Sequence, residues 1–311
     1  ETTAQSNHLR ELHQLLISPI ESFLPDEETA NVIFIPQGDL FSVPFPALQN
    51  ADGQYLIEAH TVSTSPSLQI LALTGQRQQQ LAASSTGRTD EAKLAAEDLL
   101  IVGNPLMPTL SIPADNWLGP LNSLPGTEIE AEAISALFGT QAVTGAAATE
   151  KFVKQQMTSS RILHLATHGL LDFEVPEKNN EIDLPGAIAL AAGDGDDGLL
   201  TSTEIFEMNI AAELVVLSAC DTGRGKITGD GVAGLARSFI AAGTPNVIAS
   251  LWAVPDGPTA ALMTEFYRQL GAGQDNAQAL RQAMLTTMEL HQSPKDWAAF
   301  TLIGTTKAST K

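Results

Sequence analysis

Apolar residues recur along the chain with two periods, and the period changes from segment to segment. "HLRELHQLLISPIESFL" (8–24) carries them at helical spacing, with Pro19 set to bend or break the helix. "NVIFIPQGDLFSVPFPAL" (31–48) reads as a strand, a turn and a second, proline-limited strand. "YLIEAHTVSTSPSLQILAL" (55–73) reads as a strand followed by a helix that Ser65 and Pro66 could start. Residues 76–97 are polar and Gln/Ala/Ser-rich, with little apolar content before Leu94, and predict a linker.

Beyond the linker the pattern alternates. "DLLIVGNP" predicts a strand, and "TEIEAEAISALFG" an amphipathic helix closed by Gly139. "QAVTG" is a short strand and "TEKFVKQQM" a helix. "RILHLATHG", "ELVVLSAC" and "NVIASLWAV" follow as strands, with the helix "GVAGLARSFIAAG" between the last two. Two helices, 258–270 and 275–290, precede a final strand, "WAAFTLIG". Strands alternating with helices predict an α/β fold, a mostly parallel sheet covered on both faces. The expected division is 1–95 and 96–311, at the linker.

Length and charge narrow the function classes. The chain has 311 residues, 16 Lys+Arg against 36 Asp+Glu, and a net charge of −20. That field repels nucleic acid and anionic membrane and favours neutral or basic partners. No apolar run reaches the roughly 18 residues of a membrane span, and no signal peptide is visible. One cysteine excludes an internal disulfide and suits a reducing, cytoplasmic setting. The first residue is Glu1, so a piece of a longer polypeptide is expected.

Two apolar strands each stop at a reactive side chain followed by glycine or a turn. "RILHLATHG" stops at His168, and "ELVVLSACDTG" at Cys220. In an open parallel sheet, chemistry gathers where the carboxyl ends of the strands meet the loops. If the two strands are neighbours, the pair opens onto one crevice. The imidazole would take the thiol proton and the thiolate would attack a carbonyl carbon. The backbone N–H groups of Gly169 and Cys220 could form an oxyanion hole. A lone buried cysteine or a satisfied strand-end histidine is the plainer alternative for each residue alone.

These stretches resemble the CHAT-domain group of caspase-like, separase-related cysteine peptidases. The likeness extends to "LPGTEIEAEAISALF" (124–138), "DGLLTSTEIF" (197–206), "GDGVAGLARSFIAAGTPNVIASLWAVPD" (229–256) and "VIFIPQGDLFSVPFPAL" (32–48). The resemblance implies a caspase-like three-layer sandwich and a cysteine endopeptidase with a His168–Cys220 dyad. It also implies that residues 1–95 are a pseudo-protease-like companion subdomain, and that repeats of the TPR type precede this chain as a regulatory sensor. No cofactor or metal is implied.

Asp256 follows the strand end "SLWAVPD" and resembles the segment that supplies an acidic pocket residue in separase; Asp221 directly follows Cys220. Either could receive a basic side chain at the substrate's P1 position, or be a solvated loop acid; Asp256 could also cap the next helix. Ser218 stands where a metacaspase-like acid would be, which weakens the basic-P1 argument. His164 shares a strand face with His168 and reads as a packed or hydrogen-bonded histidine. Asp172 reads as a loop anchor, and "GDGDDG" (193–198) as a β-turn, because it lacks calcium-loop ligand spacing. "TGRGKITGDG" (222–231), with Arg224 and Lys226, lacks P-loop spacing and is expected to be a flexible segment that orders around substrate. Two competing functions remain: a non-catalytic caspase-like interaction scaffold, and an acyl-transfer enzyme acting on a small substrate.

Overall fold

The helix–strand alternation builds one eight-stranded sheet. A computed structural model describes residues 3–27, 30–84, 94–112, 117–170, 186–193, 195–218, 229–253 and 255–305. In chain order the first portion holds α1 (Thr3–Leu16), β1 (Asn31–Phe34), α2 (Leu56–Ala59), β2 (Thr61–Thr64) and α3 (Leu68–Ser84). Next come β3 (Leu99–Pro105), the hairpin β4 (Thr109–Ile112) and β5 (Trp117–Pro120), α4 (Pro125–Phe138), β6 (Val143–Gly145), α5 (Glu150–Met157) and β7 (Ile162–Ala166). A small sheet is formed by β8 (Gly169–Leu170), β9 (Ala187–Ala189) and β10 (Leu199–Thr201), followed by α6 (Ser202–Glu207). The chain continues with β11 (Leu214–Leu217), α7 (Gly229–Ala241), β12 (Asn246–Ser250), α8 (Asp256–Gly271), α9 (Asn276–Leu290), α10 (Pro294–Trp297) and β13 (Phe300–Gly304).

The order across the main sheet is β1-β2-β13-β12-β11-β7-β3-β6. Every pairing is parallel except β12 with β13. Both faces are buried, so alternate strand residues sort into two cores. Ile101, Ile162, Val216 and Ile248 face α4, α8 and α9; Leu100, Leu163, Val215 and Val247 face α5, α6 and α7. The result is three layers. Burial of each such aliphatic side chain contributes about 1.5–3 kcal/mol.

Arg161 pins the amino ends of three neighbouring strands. Its guanidinium lies 2.9 Å from Glu213, before β11, and 3.3 Å from Asp98, before β3. The carboxyl ends of the same strands carry the candidate site.

Several expectations are met by the caps. Gly139 adopts φ 66° and closes α4, and Pro19 follows the end of α1 in a 3-10 turn. Others are corrected. The second strand expected within 31–48 is a pair of 3-10 turns, Gly38–Ser42 and Phe45–Ala47, because Pro44 and Pro46 cannot donate to a ladder. The polar stretch expected to be a linker from residue 76 is helical to Ser84, as its Gln and Ala content permits. Residues 85–93 lie outside the described residues. The sheet runs through both sides of that stretch, with Thr64 of β2 opposite Ile303 of β13.

Candidate active site

β7 and β11 are adjacent and parallel, with Leu165 opposite Leu217. Cys220 and Asp221 lie outside the described residues. Ser218, the last described residue of that strand end, is buried beside Thr167 at the carboxyl edge of the sheet.

His168 is buried, and its Nε2 lies 2.7 Å from the backbone oxygen of Asn122. A carbonyl only accepts, so Nε2 donates to it, and in the neutral ring Nδ1 is then the acceptor. A third group that orients the imidazole was not expected from the sequence; a main-chain carbonyl leaves no side-chain signature. The segment that offers it is held by Asn104, the residue after Gly103 in β3. Asn104 takes up φ 44°, a left-handed conformation that asparagine tolerates. Its Oδ1 accepts from Leu124 N (2.8 Å) and Ser123 Oγ (3.0 Å), and its Nδ2 donates to Glu128 (2.9 Å).

β9 fixes the other side of His168. Thr167 Oγ1 donates to Ala189 O at 2.7 Å, and Ala189 N donates to His168 O at 2.9 Å. With that bond in place, Gly169 and Ile188 form a non-hydrogen-bonded pair, so the Gly169 amide is turned away from β9.

Beside this strand end lies a cavity of about 70 Å³. Thr167, Ser218 and Ser250 line it from the ends of three adjacent strands, and Glu130 and Asp256 from α4 and α8. Asp256 is exposed, in the first turn of α8. Its carboxylate packs on Gly126 so tightly that a Cβ on Gly126 would fall 2.1 Å from its Oδ2. Asp256 therefore sits where the amino ends of α4 and α8 meet, a position that suits negative charge.

Glu130 is only 2% exposed. Its Oε1 lies 3.0 Å from His164 Nε2, yet neither atom has a hydrogen-bond partner of acceptable geometry. The His164 ring packs edge-on against Tyr267, centroids 5.4 Å apart, and the Tyr267 hydroxyl is buried without a partner. Burial pushes the Tyr267 hydroxyl's pKa well above its ordinary value, and the Glu130 charge adds to that. His164 is thus the packed histidine expected, with a carboxylate against it. Glu130 was missed; its signal was a lone acid on the face of α4 that also buries Ala131 and Ile134.

The remaining sequence candidates separate. Gly193 and Asp196 exchange two backbone bonds, 3.1 and 3.0 Å, as a turn joining β9 to β10. Gly198 N donates to Glu150 at 2.9 Å. Among the described residues no group of three or more His, Cys, Asp or Glu could hold a metal ion. Asp172 lies outside the described residues, as does 222–228, most of the segment expected to order around substrate.

A model of the CHAT domain matches residues 6–305. The chain belongs to the CHAT domain family. This CHAT domain is 30% identical over 331 aligned residues to human tetratricopeptide repeat protein 28, and 29% identical to the mouse protein. Each alignment covers 95% of the chain and 13% of the relative, so the domain spans about an eighth of the relatives' length. Among solved structures it is similar to separase in the Saccharomyces cerevisiae separase–securin complex, with a TM-score of 0.54 at 14% identity, covering 89% of this chain and 15% of that one. It is also similar to the Arg-specific cysteine proteinase gingipain R of Porphyromonas gingivalis, with a TM-score of 0.51 at 10% identity, covering 98% of this chain and 67% of that one. The fold is therefore the caspase-like α/β fold of a group of cysteine peptidases. No helix among the described residues is long and apolar enough to cross a membrane.

Proposed function

We propose that this CHAT domain is a cysteine endopeptidase with Cys220 as nucleophile and His168 as general base and acid. The observation that carries the reading is the Asn122 carbonyl on His168 Nε2. In this reading Nδ1 is the basic nitrogen, at the rim where β7 and β11 end side by side. Nδ1 takes the Sγ proton as the thiolate bonds to the scissile carbonyl carbon. The N–H groups of Gly169 and Cys220 receive the resulting oxyanion. The imidazolium then protonates the departing amine, and a water deprotonated by the same nitrogen hydrolyses the thioester, restoring the thiol.

The cavity next to that rim is the P1 side-chain subsite in this reading. Asp256 at its mouth, with Asp221 beside the nucleophile, favours a basic side chain, and gingipain R is itself described as Arg-specific. Residues 1–95 serve as a companion portion that completes the sheet. An upstream TPR-type region, as in the tetratricopeptide repeat relatives, regulates the site in a cytoplasmic protein.

The second reading is a docking module without catalysis. It is favoured by the domain's small share of those relatives and by the separase neighbour having been solved with securin bound. Cleavage profiling with a peptide library separates the two. The wild-type chain should cleave after basic residues and Cys220→Ala should cleave nothing. Equal cleavage by both proteins, or by neither, would reject the peptidase.

A further inference from the structure

Among the described residues β1 (Asn31–Phe34) is the outermost strand of the main sheet at the end far from β6, and it pairs with β2 alone. Phe34 lies opposite Thr64, and its carbonyl accepts from Ser65 N at 2.9 Å. In a parallel ladder a residue bonded to one neighbour alternates with a residue whose N–H and C=O both point the other way. Val32 and Phe34 therefore hold β2, and Ile33 presents a donor and an acceptor outward. No described residue hydrogen-bonds to either group. Open edges are commonly guarded by a lysine, a proline or an inward charge, and Asn31–Phe34 contains none of these. Nor does the core close over the strand. Phe34 stacks on the buried Phe45, centroids 4.1 Å apart, yet is itself only half-buried.

The charge of this portion has one sign. Between Arg10 and Arg77 the sequence holds eight Asp and Glu and no Lys or Arg, so no cation within it offsets the acids. Glu21, Asp26 and Glu27, before β1, and Asp39, after it, are exposed. We propose that the β1 edge docks an extended segment of a partner protein in which basic side chains alternate with apolar ones. The segment adds to the sheet as a further strand. Its backbone meets the outward groups of Ile33, its apolar side chains cover Phe34, and its cations are drawn by the surrounding carboxylates. A second copy of this chain is the poorer occupant, because pairing β1 with β1 would bring two chains of net charge −20 together at their acidic portions. The proposal does not depend on catalysis at Cys220.

The test uses three blocked hexapeptides and the Cys220→Ala chain, which cannot consume them. The probes are three repeats of Lys-Val, of Lys-Pro and of Glu-Val. The Lys-Pro peptide keeps the charge but has lost half its backbone donors and cannot form a ladder. Calorimetry should find the Lys-Val peptide bound at least about tenfold more tightly than either of the others. Ile33→Pro removes the outward N–H and leaves the ladder bonds of Val32 and Phe34 in place, a substitution that edge strands tolerate. It should erase the preference for Lys-Val over Lys-Pro. Equal binding of Lys-Val and Lys-Pro by the parent chain, or of Lys-Val and Glu-Val, overturns the proposal.

Preference for Lys-Val that persists in Ile33→Pro belongs to another surface, the cavity beside the strand ends included, and also overturns it. Sedimentation of the chain without peptide tests the other occupant: a dimer that Ile33→Pro dissociates would assign the edge to a second copy and reject the partner segment. If Ile33→Pro does not fold, hydrogen exchange of the Ile33 amide decides. Saturating Lys-Val peptide should slow it at least about tenfold, and an unchanged rate overturns the proposal.

Discussion

Asn122 contributes to the site through its main-chain oxygen, and what holds that oxygen in place is a side chain eighteen residues earlier in sequence, Asn104. The Asn104 amide accepts from both residues that follow Asn122. Asn104→Gly keeps the left-handed backbone and loses those bonds, so the imidazole should be less well held. We expect kcat to fall about ten- to a hundredfold with KM little changed, and Asn104→Asp, which keeps an acceptor, to retain most of the rate. Equal loss in both variants would contradict the positioning role. A second residue-scale outcome concerns Gly126. An alanine there must push the Asp256 carboxylate aside, since its Cβ would fall 2.1 Å from Oδ2. Cleavage after basic residues should drop with cleavage after citrulline unchanged. At this scale the proposed pair was legible as a candidate because two apolar runs end on the only cysteine and a histidine. The carbonyl and Glu130 were not, since one has no side chain to read and the other is an acid in a helix rich in acids.

Among the elements, α4 matters most, because it carries Thr127, Glu130 and the packing on Asp256. It lies against β3 at Gly103, where a Cβ would come 2.5 Å from the Thr127 carbonyl oxygen and 2.6 Å from the Ala131 Cβ. Neither neighbour is a flexible tip. Gly103→Ala should cost about 1–3 kcal/mol or more in urea unfolding and shift Glu130 with the helix. Stability equal to wild type would mean that α4 can slide. The amphipathic period and the Gly139 cap made this helix readable. The segment from Val43 to Ala47 was misread as a strand because its apolar residues alternate with prolines, and alternation alone cannot distinguish a ladder from a run without donors. The helix through residues 76–84 was missed because polarity suggested a linker while Gln and Ala still favour a helix.

At the scale of the molecule, β1 and β2 extend the sheet beyond its one antiparallel joint, β12 with β13. A chain starting at residue 96 would expose the β13 edge and the Trp297–Phe300 side of the core. It should be less stable and aggregate; a monomeric 96–311 fragment melting like the intact chain would contradict this. Two histidines in the first portion add a pH dependence. Burial lowers the pKa of His13, against a nearby Glu21 charge, and of His60, with help from Arg281. Both then lie below the ordinary 6.5, so the unfolded chain binds more protons in the window under that value. Stability should fall as pH drops from about 7 to about 5, and replacing both with Gln should flatten the slope. Urea midpoints across that range check it; no slope, or the opposite one, would refute it.

The central claim is a proton passed between one thiol and one imidazole, and the rate of Cys220 alkylation by a peptidyl electrophile, measured against pH, reports it most directly. The account predicts rapid labelling at neutral pH that His168→Ala reduces by about two orders of magnitude or more. Slow labelling with the pH profile of an ordinary thiol, the same in both proteins, would contradict it.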